Sequence, residues 1–227
     1  MNILTVAAHP DDEVLGCGGT IARLASEGHA VHVLILAEGI TSREQSRDRG
    51  TRVTELSELA RCTEAANAIL GSASVKVCAY PDNRMDGIDL LEVVKIIETE
   101  ISVRRPQMVF THRRGDVNVD HNVVHEAVIA ACRPQPGHPV RQLLFFEVAS
   151  STEWRPPSSS SYFAPNCFYD IEHHLAHKLR ALEEYSTELR PFPHPRSIEA
   201  VANQARWRGA TAGCLAAEAF EVGRFIV

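Results

Sequence analysis

Apolar residues along the chain recur in two patterns that alternate with each other. Short aliphatic and β-branched runs at 2–8, 30–37, 75–80, 107–112 and 142–148 read as strands buried on both faces, where hydrophobicity is nearly continuous. Between them, the stretches at 18–26, 48–70, 89–103 and 120–132 carry apolar residues at three- and four-residue spacing, the stripe of a helix packed by one face on a sheet. Gly28 and Gly71 stand where helix C-caps belong, and Pro106 marks a boundary before the fourth strand. The alternation predicts the α/β class, a mostly parallel sheet with helices on both faces.

After residue 148 the pattern changes. Ser150-Ser151-Thr152 and Arg155-Pro156-Pro157-Ser158-Ser159-Ser160-Ser161 form a low-complexity stretch, too short for a domain linker and expected to be a mobile loop. A helix over 172–187, a proline-locked turn at 191–195, a helix over 197–212 and a strand over 220–227 follow, giving a smaller helical and strand extension. There is no internal repeat, and 227 residues fit a single α/β domain.

Composition narrows the function classes. With 44% hydrophobic and 23% charged residues and a net charge of −6, the chain has no broad basic field for nucleic acid and suits a small or neutral ligand. Cys17, Cys62, Cys78, Cys132, Cys167 and Cys214 are scattered without a Cys-x-x-Cys pair, which argues against a disulfide framework and a thiolate zinc site. No basic leader opens the sequence and no apolar run approaches ~18 residues, so the expectation is a cytoplasmic protein without membrane insertion.

The chemistry concentrates at strand ends. Ala8-His9-Pro10-Asp11-Asp12-Glu13 follows the first strand directly. Pro10 biases His9 away from helical backbone, so His9 and Asp12 can converge on one ion while Asp11 points elsewhere, ready to take a proton from water. The plainer reading is an acidic helix N-terminus facing the helix dipole. The fourth strand ends at His112, and Asp120-His121 opens the next helix. In parallel α/β sheets ligands bind beyond the carboxyl ends of strands, where His9, Asp12 and His121 can meet. Three N/O ligands with an open fourth position suit a catalytic zinc and an activated water.

On these residues the chain resembles the PIG-L/LmbE-like family of zinc-dependent N-acetyl sugar deacetylases. Arg61-Cys62-Thr63-Glu64, Pro81-Asp82-Asn83-Arg84-Met85-Asp86, Pro193-His194-Pro195-Arg196-Ser197 and Ala217-Glu218-Ala219-Phe220 extend the resemblance over nearly the whole chain. It implies a Rossmann-like core over about residues 1–150, with a substrate-pocket extension over about 151–227. It also implies His9, Asp12 and His121 as ligands of Zn2+, with other first-row divalent ions possible, Asp11 as general base, and Asp120 as a carboxylate orienting an imidazole. Many members carry His-Pro-Asp-His where this chain has Asn118-Val119-Asp120-His121. Asn118 replaces a histidine credited with stabilising the oxyanion, and its amide can donate a hydrogen bond but not serve as an acid. His194, in the proline-locked turn, is the candidate to supply the missing donor or proton.

Glu38, Arg61 and Arg84 match positions that approach substrate in the family. The competing reading makes Glu38 and Arg61 an internal ion pair and lets Arg84 tie down its own loop through Asp82 and Asp86. Gly16-Cys17-Gly18-Gly19 lacks dinucleotide-loop spacing and reads as glycines that let a helix lie close on the sheet. Arg43, Arg47, Asp48, Arg49 and Arg52 read as a solvated face or mobile loop. His125 reads as a packing residue or a support for the site, and His173, His174 and His177 as bystanders. The expected reaction is hydrolysis of an N-acetyl group from an amino sugar or a glycoside or conjugate containing it, with a homo-oligomer possible. Alternatives are an amidase acting on a sugar-linked thiol conjugate or an acylated antibiotic precursor and, from another class, a nucleotide-sugar-binding or transferase domain.

Overall fold

A computed structural model describes residues 1–43, 46–156 and 162–227. Its seven strands form one sheet: β1 (Asn2–Ala7), β2 (Ala30–Ala37), β3 (Ser74–Tyr80), β4 (Met108–His112), β5 (Gln142–Phe146), β6 (Cys167–Asp170) and β7 (Ala217–Phe225). Their order is β3-β2-β1-β4-β5-β7-β6. The first five run parallel, while β7 pairs antiparallel with both β5 and β6. The order turns back between β1 and β4, the switch point at which α/β sheets open a ligand crevice beyond their strand ends.

Strand alternation builds two cores. Ile3 and Ala7 face one side with Phe110 and Phe146, under α1 (Asp12–Ser26), α2 (Val53–Leu70) and α5 (Leu175–Glu184). Leu4 and Val6 face the other, under α3 (Leu90–Arg104) and α4 (Val119–Ala131). A sixth helix, α6 (Ile198–Ala212), packs against β7 and is capped by the Ser197 hydroxyl, which accepts from Ala200 N–H at 3.0 Å.

Several boundaries depart from the pattern-based ones. The first helix begins at Asp12 rather than Gly18 and is kinked at Cys17, whose backbone is non-helical (φ −149°), so its second piece runs on from Gly18. A Cβ on Gly16 would stand 2.4 Å from the Phe146 ring and one on Gly19 2.6 Å from Ile171, so these glycines let the helix lie against its neighbours. The second helix starts at Val53, and a 3-10 turn at Glu172–His174 precedes α5, which stops at Glu184. The short edge strand β6 and the earlier start of β7 were not apparent from the pattern. The expected mobile loop is fixed at its beginning: Ser151 and Thr152 are buried, and their hydroxyls bond to Asp116. Ser158 through Ser161, with Pro157, lie outside the described residues.

Candidate active site

The ends of β1 and β4 bring a charged cluster to one point. Pro10 turns the chain out of β1, and Asp11 adopts a left-handed backbone (φ 103°, ψ −28°) as the N-cap of α1. The following turn carries Asp12 inward. Its Oδ2 lies 3.1 Å from His9 Nδ1 and 3.1 Å from His121 Nε2. His121 stands in the first turn of α4, stacked on His112 with ring centroids 3.9 Å apart. His112 Nε2 accepts the Ala8 N–H at 2.8 Å, which ties the ends of β1 and β4 together and fixes the proton on Nδ1.

His9 and His121 each have a carboxylate behind them. Asp120 Oδ2 lies 3.0 Å from His9 Nε2, with Asp82 Oδ1 at 3.4 Å. Asp116 Oδ2 lies 3.3 Å from His121 Nδ1. Asp120 therefore orients His9 rather than its chain neighbour His121, which falls to Asp116. Asp120 also accepts the N–H groups of Asn83 at 2.7 Å and Met85 at 2.9 Å, anchoring the loop after β3.

Burial and neighbours set the charges. Burial opposes protonation of His9, yet Asp12, Asp120 and Asp82 hold its pKa up to about 10. The same contest holds His121 up to about 9, with Asp12 and Asp116 outweighing burial. Burial, aided by the charge of His121, pushes His112 far down, so it stays neutral. For Asp12 burial works upward but the surrounding histidines prevail and hold it well below the usual carboxylate range. Asp11 goes the other way: burial pushes it up to about 8 although Arg196 Nη1 sits 3.0 Å from its Oδ2.

His9, Asp12 and His121 offer ligand atoms that all lie within 4.8 Å of one another. Asp12 Oδ1 and His121 Nε2 are buried without a hydrogen-bond partner, an arrangement that is costly unless a cation completes it. The carboxylates on the far ring nitrogens support the tautomers that leave a nitrogen of each ring for an ion. The donor set fits zinc or another first-row divalent ion.

Beside the cluster lies a cavity of about 110 Å³ whose walls include His9, Asp11, Asp82, Asn118, Glu188 and Arg196. Asn118 reaches it while capping α4: its Oδ1 accepts Asp120 N–H at 2.8 Å and its Nδ2 donates to Asn83 Oδ1 at 2.8 Å. His194 does not line it. The proline-rich turn sets the His194 ring edge-on to Trp154, and the side chain it sends to Asp11 is that of Arg196. Glu38 and Arg61 do not meet: Glu38 is held by Arg47 and Arg49, each at 2.7 Å, and Arg61 is exposed on α2 and paired with Glu58. Arg84, half-buried at the head of the 3-10 turn Met85–Gly87, is also outside the cavity wall. His125 Nδ1 lies 2.9 Å from the His112 carbonyl, supporting that strand end. His173 and His174 line a separate surface hollow with Arg23 and Glu27.

Sequence reasoning passed over Asp116, His112 and Arg196 as site residues. Asp116 and His112 carried a usable signal, since both stand beside a strand end bearing a metal-type histidine. Arg196 stood in the matched segment 193–197, but no local pattern showed its approach to Asp11, which spans 185 residues.

The family model described as GlcNAc-PI de-N-acetylase, PIG-L, matches residues 4–132, more than half of the chain. An uncharacterized deacetylase of Escherichia coli K12, YaiS, is 26% identical over 82% of this chain and 90% of its own length. A 1D-myo-inositol 2-acetamido-2-deoxy-α-D-glucopyranoside deacetylase of Rhodococcus erythropolis is 34% identical over 60% of this chain, which spans 57% of that relative's length. Two solved structures share the fold. One is N,N'-diacetylchitobiose deacetylase of Pyrococcus horikoshii (TM-score 0.77, 19% identity, 98% of this chain and 84% of that one). The other is GalB, a 4-carboxy-2-hydroxymuconate hydratase of Pseudomonas putida (TM-score 0.73, 23% identity, 100% and 97%). A hydratase on this fold shows that architecture alone does not choose the reaction. The motif, the architecture and the family match agree, and the chain belongs to the GlcNAc-PI de-N-acetylase (PIG-L) family.

Proposed function

We propose that the protein is a zinc-dependent N-deacetylase that hydrolyses the acetamido group of an amino sugar or its glycoconjugate. The observation that carries this reading is the buried His9–Asp12–His121 set with orphaned polar atoms, placed beside Asp11 at the wall of the cavity. Two of the relatives, the inositol acetamidoglucoside deacetylase and the N,N'-diacetylchitobiose deacetylase, are named for acetylated amino sugars, which supports the substrate class.

A divalent ion held by His9, Asp12 and His121 would supply Lewis acidity for the amide carbonyl and for water. The chain's own residues do the rest. Asp11 takes the proton of the attacking water on its carboxylate and returns it to the amine nitrogen as the C–N bond breaks. Arg196 holds Asp11 in place and adds positive charge where the carbonyl oxygen becomes anionic. Asp120 and Asp116 keep the rings of His9 and His121 turned toward the ligand position. A cavity of about 110 Å³ suits an acetamido group with the sugar ring at its mouth, being below the size that encloses a whole drug-sized ligand.

The test is acetate and amine release from N-acetylglucosamine, its inositol glycoside and N,N'-diacetylchitobiose. Equimolar acetate and amine from at least one of them, abolished by chelation and restored by zinc, is expected. No release from any of these by protein with measured bound zinc would overturn the reading.

A further inference from the structure

The sixth residue of the first motif, Glu13, has no task in the chemistry above, yet it is one of the most enclosed carboxylates in the protein. Its side chain is fully buried and does not line the cavity. Oε2 accepts the backbone N–H of Asp11 at 3.1 Å. Oε1 accepts the hydroxyl of Tyr185 at 2.7 Å and the amide of Asn67 at 3.0 Å. Tyr185 lies at the end of α5 and Asn67 on α2, and both are buried. Asn67 is in turn held by its bonds to the Thr63 carbonyl and the Ser72 hydroxyl.

This network ends on a backbone held in an unfavourable conformation. Asp11 is not glycine, and a left-handed backbone costs an ordinary L-residue roughly 1–2 kcal/mol. Strain of this kind persists where the surroundings over-determine it. Here the determinant is a carboxylate reaching back two residues to cap the strained N–H, clamped by helices from two distant segments. The same backbone turn sends the Asp11 carboxylate to Arg196 and the cavity, and Asp12 toward the histidines.

We propose that Glu13 is a positioning residue for Asp11: it transmits the packing of α2 and α5 into the orientation of the general base. The inference rests on Asp11 being that base, and the experiment separates the two. Steady-state kinetics, bound zinc and melting temperature are measured for Glu13→Ala, Glu13→Gln, Tyr185→Phe and Asp11→Asn, and for Glu13→Ala and Tyr185→Phe combined with Asp11→Asn. Glu13→Ala should lower kcat by about 100-fold, the scale of a misplacement of about 1 Å, with KM and zinc content near wild type. Glu13→Gln keeps an acceptor for the Asp11 N–H and should recover most of that loss. Combined with Asp11→Asn, Glu13→Ala should cost little more, because the group it positions is gone.

A Glu13→Ala loss that recurs in full in the Asp11→Asn background, or that tracks zinc content or KM, overturns the positioning role. Should Glu13→Ala fail to fold, Tyr185→Phe, which removes one donor to Glu13 and keeps the ring, carries the same test, with a loss of about 10-fold expected in kcat alone. Wild-type kcat in Glu13→Ala, or in Tyr185→Phe where that variant stands in, beside a deep loss in Asp11→Asn, refutes the inference and leaves the base assignment standing. Wild-type kcat in Asp11→Asn refutes the base assignment itself.

Discussion

Asp11 and Glu13 lie on one side of the turn after β1; Asp12 points to the other side, where Asp116 also stands. All four carboxylates are buried, so exposure does not distinguish them. Their company does. Asp12 and Asp116 face His9, His112 and His121, and the imidazoles draw both well below the usual carboxylate range against the pull of burial. Burial dominates on the other side, pushing Glu13 up to about 7 and Asp11 up to about 8, with Arg196 only partly offsetting the latter. One side is fixed as anions able to hold a cation and the other can hold a proton, the division that the proposed ion binding and proton transfer require.

The largest effect should come from the anionic side. His121→Ala or Asp12→Ala removes one of the three proposed protein ligands, and acetate release should fall by at least about 1000-fold together with bound zinc. Elemental analysis beside the activity assay checks it; full zinc occupancy in either variant breaks the assignment of the two sides. On the proton-holding side, Asp11→Asn should leave zinc bound and lower kcat by about 100- to 10,000-fold, because the amide cannot accept a proton from water. Loss of zinc in that variant would place Asp11 on the ligand side.

The contrast was half visible in the sequence. His9, Asp11 and Asp12 follow a strand whose apolar run is unmistakable, and Pro10 forces the chain out of it, so local chemistry suffices to see a site. The parallel core was legible for the same reason, since buried strands and amphipathic helices alternate cleanly there. What decides the division of roles comes from afar. Arg196, Tyr185 and Asn67 reach the turn from the last third of the chain and from α2, and no local pattern reports such contacts. Motif position also left side-chain direction open: Arg61 points to solvent, and His194 stands two residues before the side chain that meets Asp11. The edge strand β6 escaped notice because its four residues, Cys167-Phe168-Tyr169-Asp170, are too few to show a period.

A smaller effect separates holding the ion from holding its ligand. Asp116 touches His121 but does not belong to the three-ligand set, so Asp116→Asn should weaken zinc about 10- to 100-fold while kcat at saturating zinc stays close to wild type. Competition with a chelating indicator gives the affinity. Unchanged affinity would mean that Ser151 and Thr152, which also bond Asp116, account for its burial as a purely structural anchor.

The smallest effect is the most direct reading of the comparison, since one substitution should change stability in opposite directions on the two sides. In chelator-treated protein, Asp11 has a folded pKa of about 8 against 3.8 when unfolded. The unfolded chain then releases the proton more readily, so Asp11 costs stability increasingly as pH rises from about 4 to about 8 and constantly above that. Asp11→Asn removes this cost, and its gain should be absent near pH 4 and greatest at pH 8. The pKa of Asp116 is shifted downward instead, so its contribution is present above the unfolded value of 3.8 and is lost as pH falls below it. Asp116→Asn should therefore lower stability at pH 8. Melting temperatures of the two variants at pH 8 should fall on opposite sides of the wild type. Two shifts of the same sign at pH 8, or an Asp11→Asn gain that does not shrink toward pH 4, would show that burial and histidine charge do not divide the carboxylates in this way.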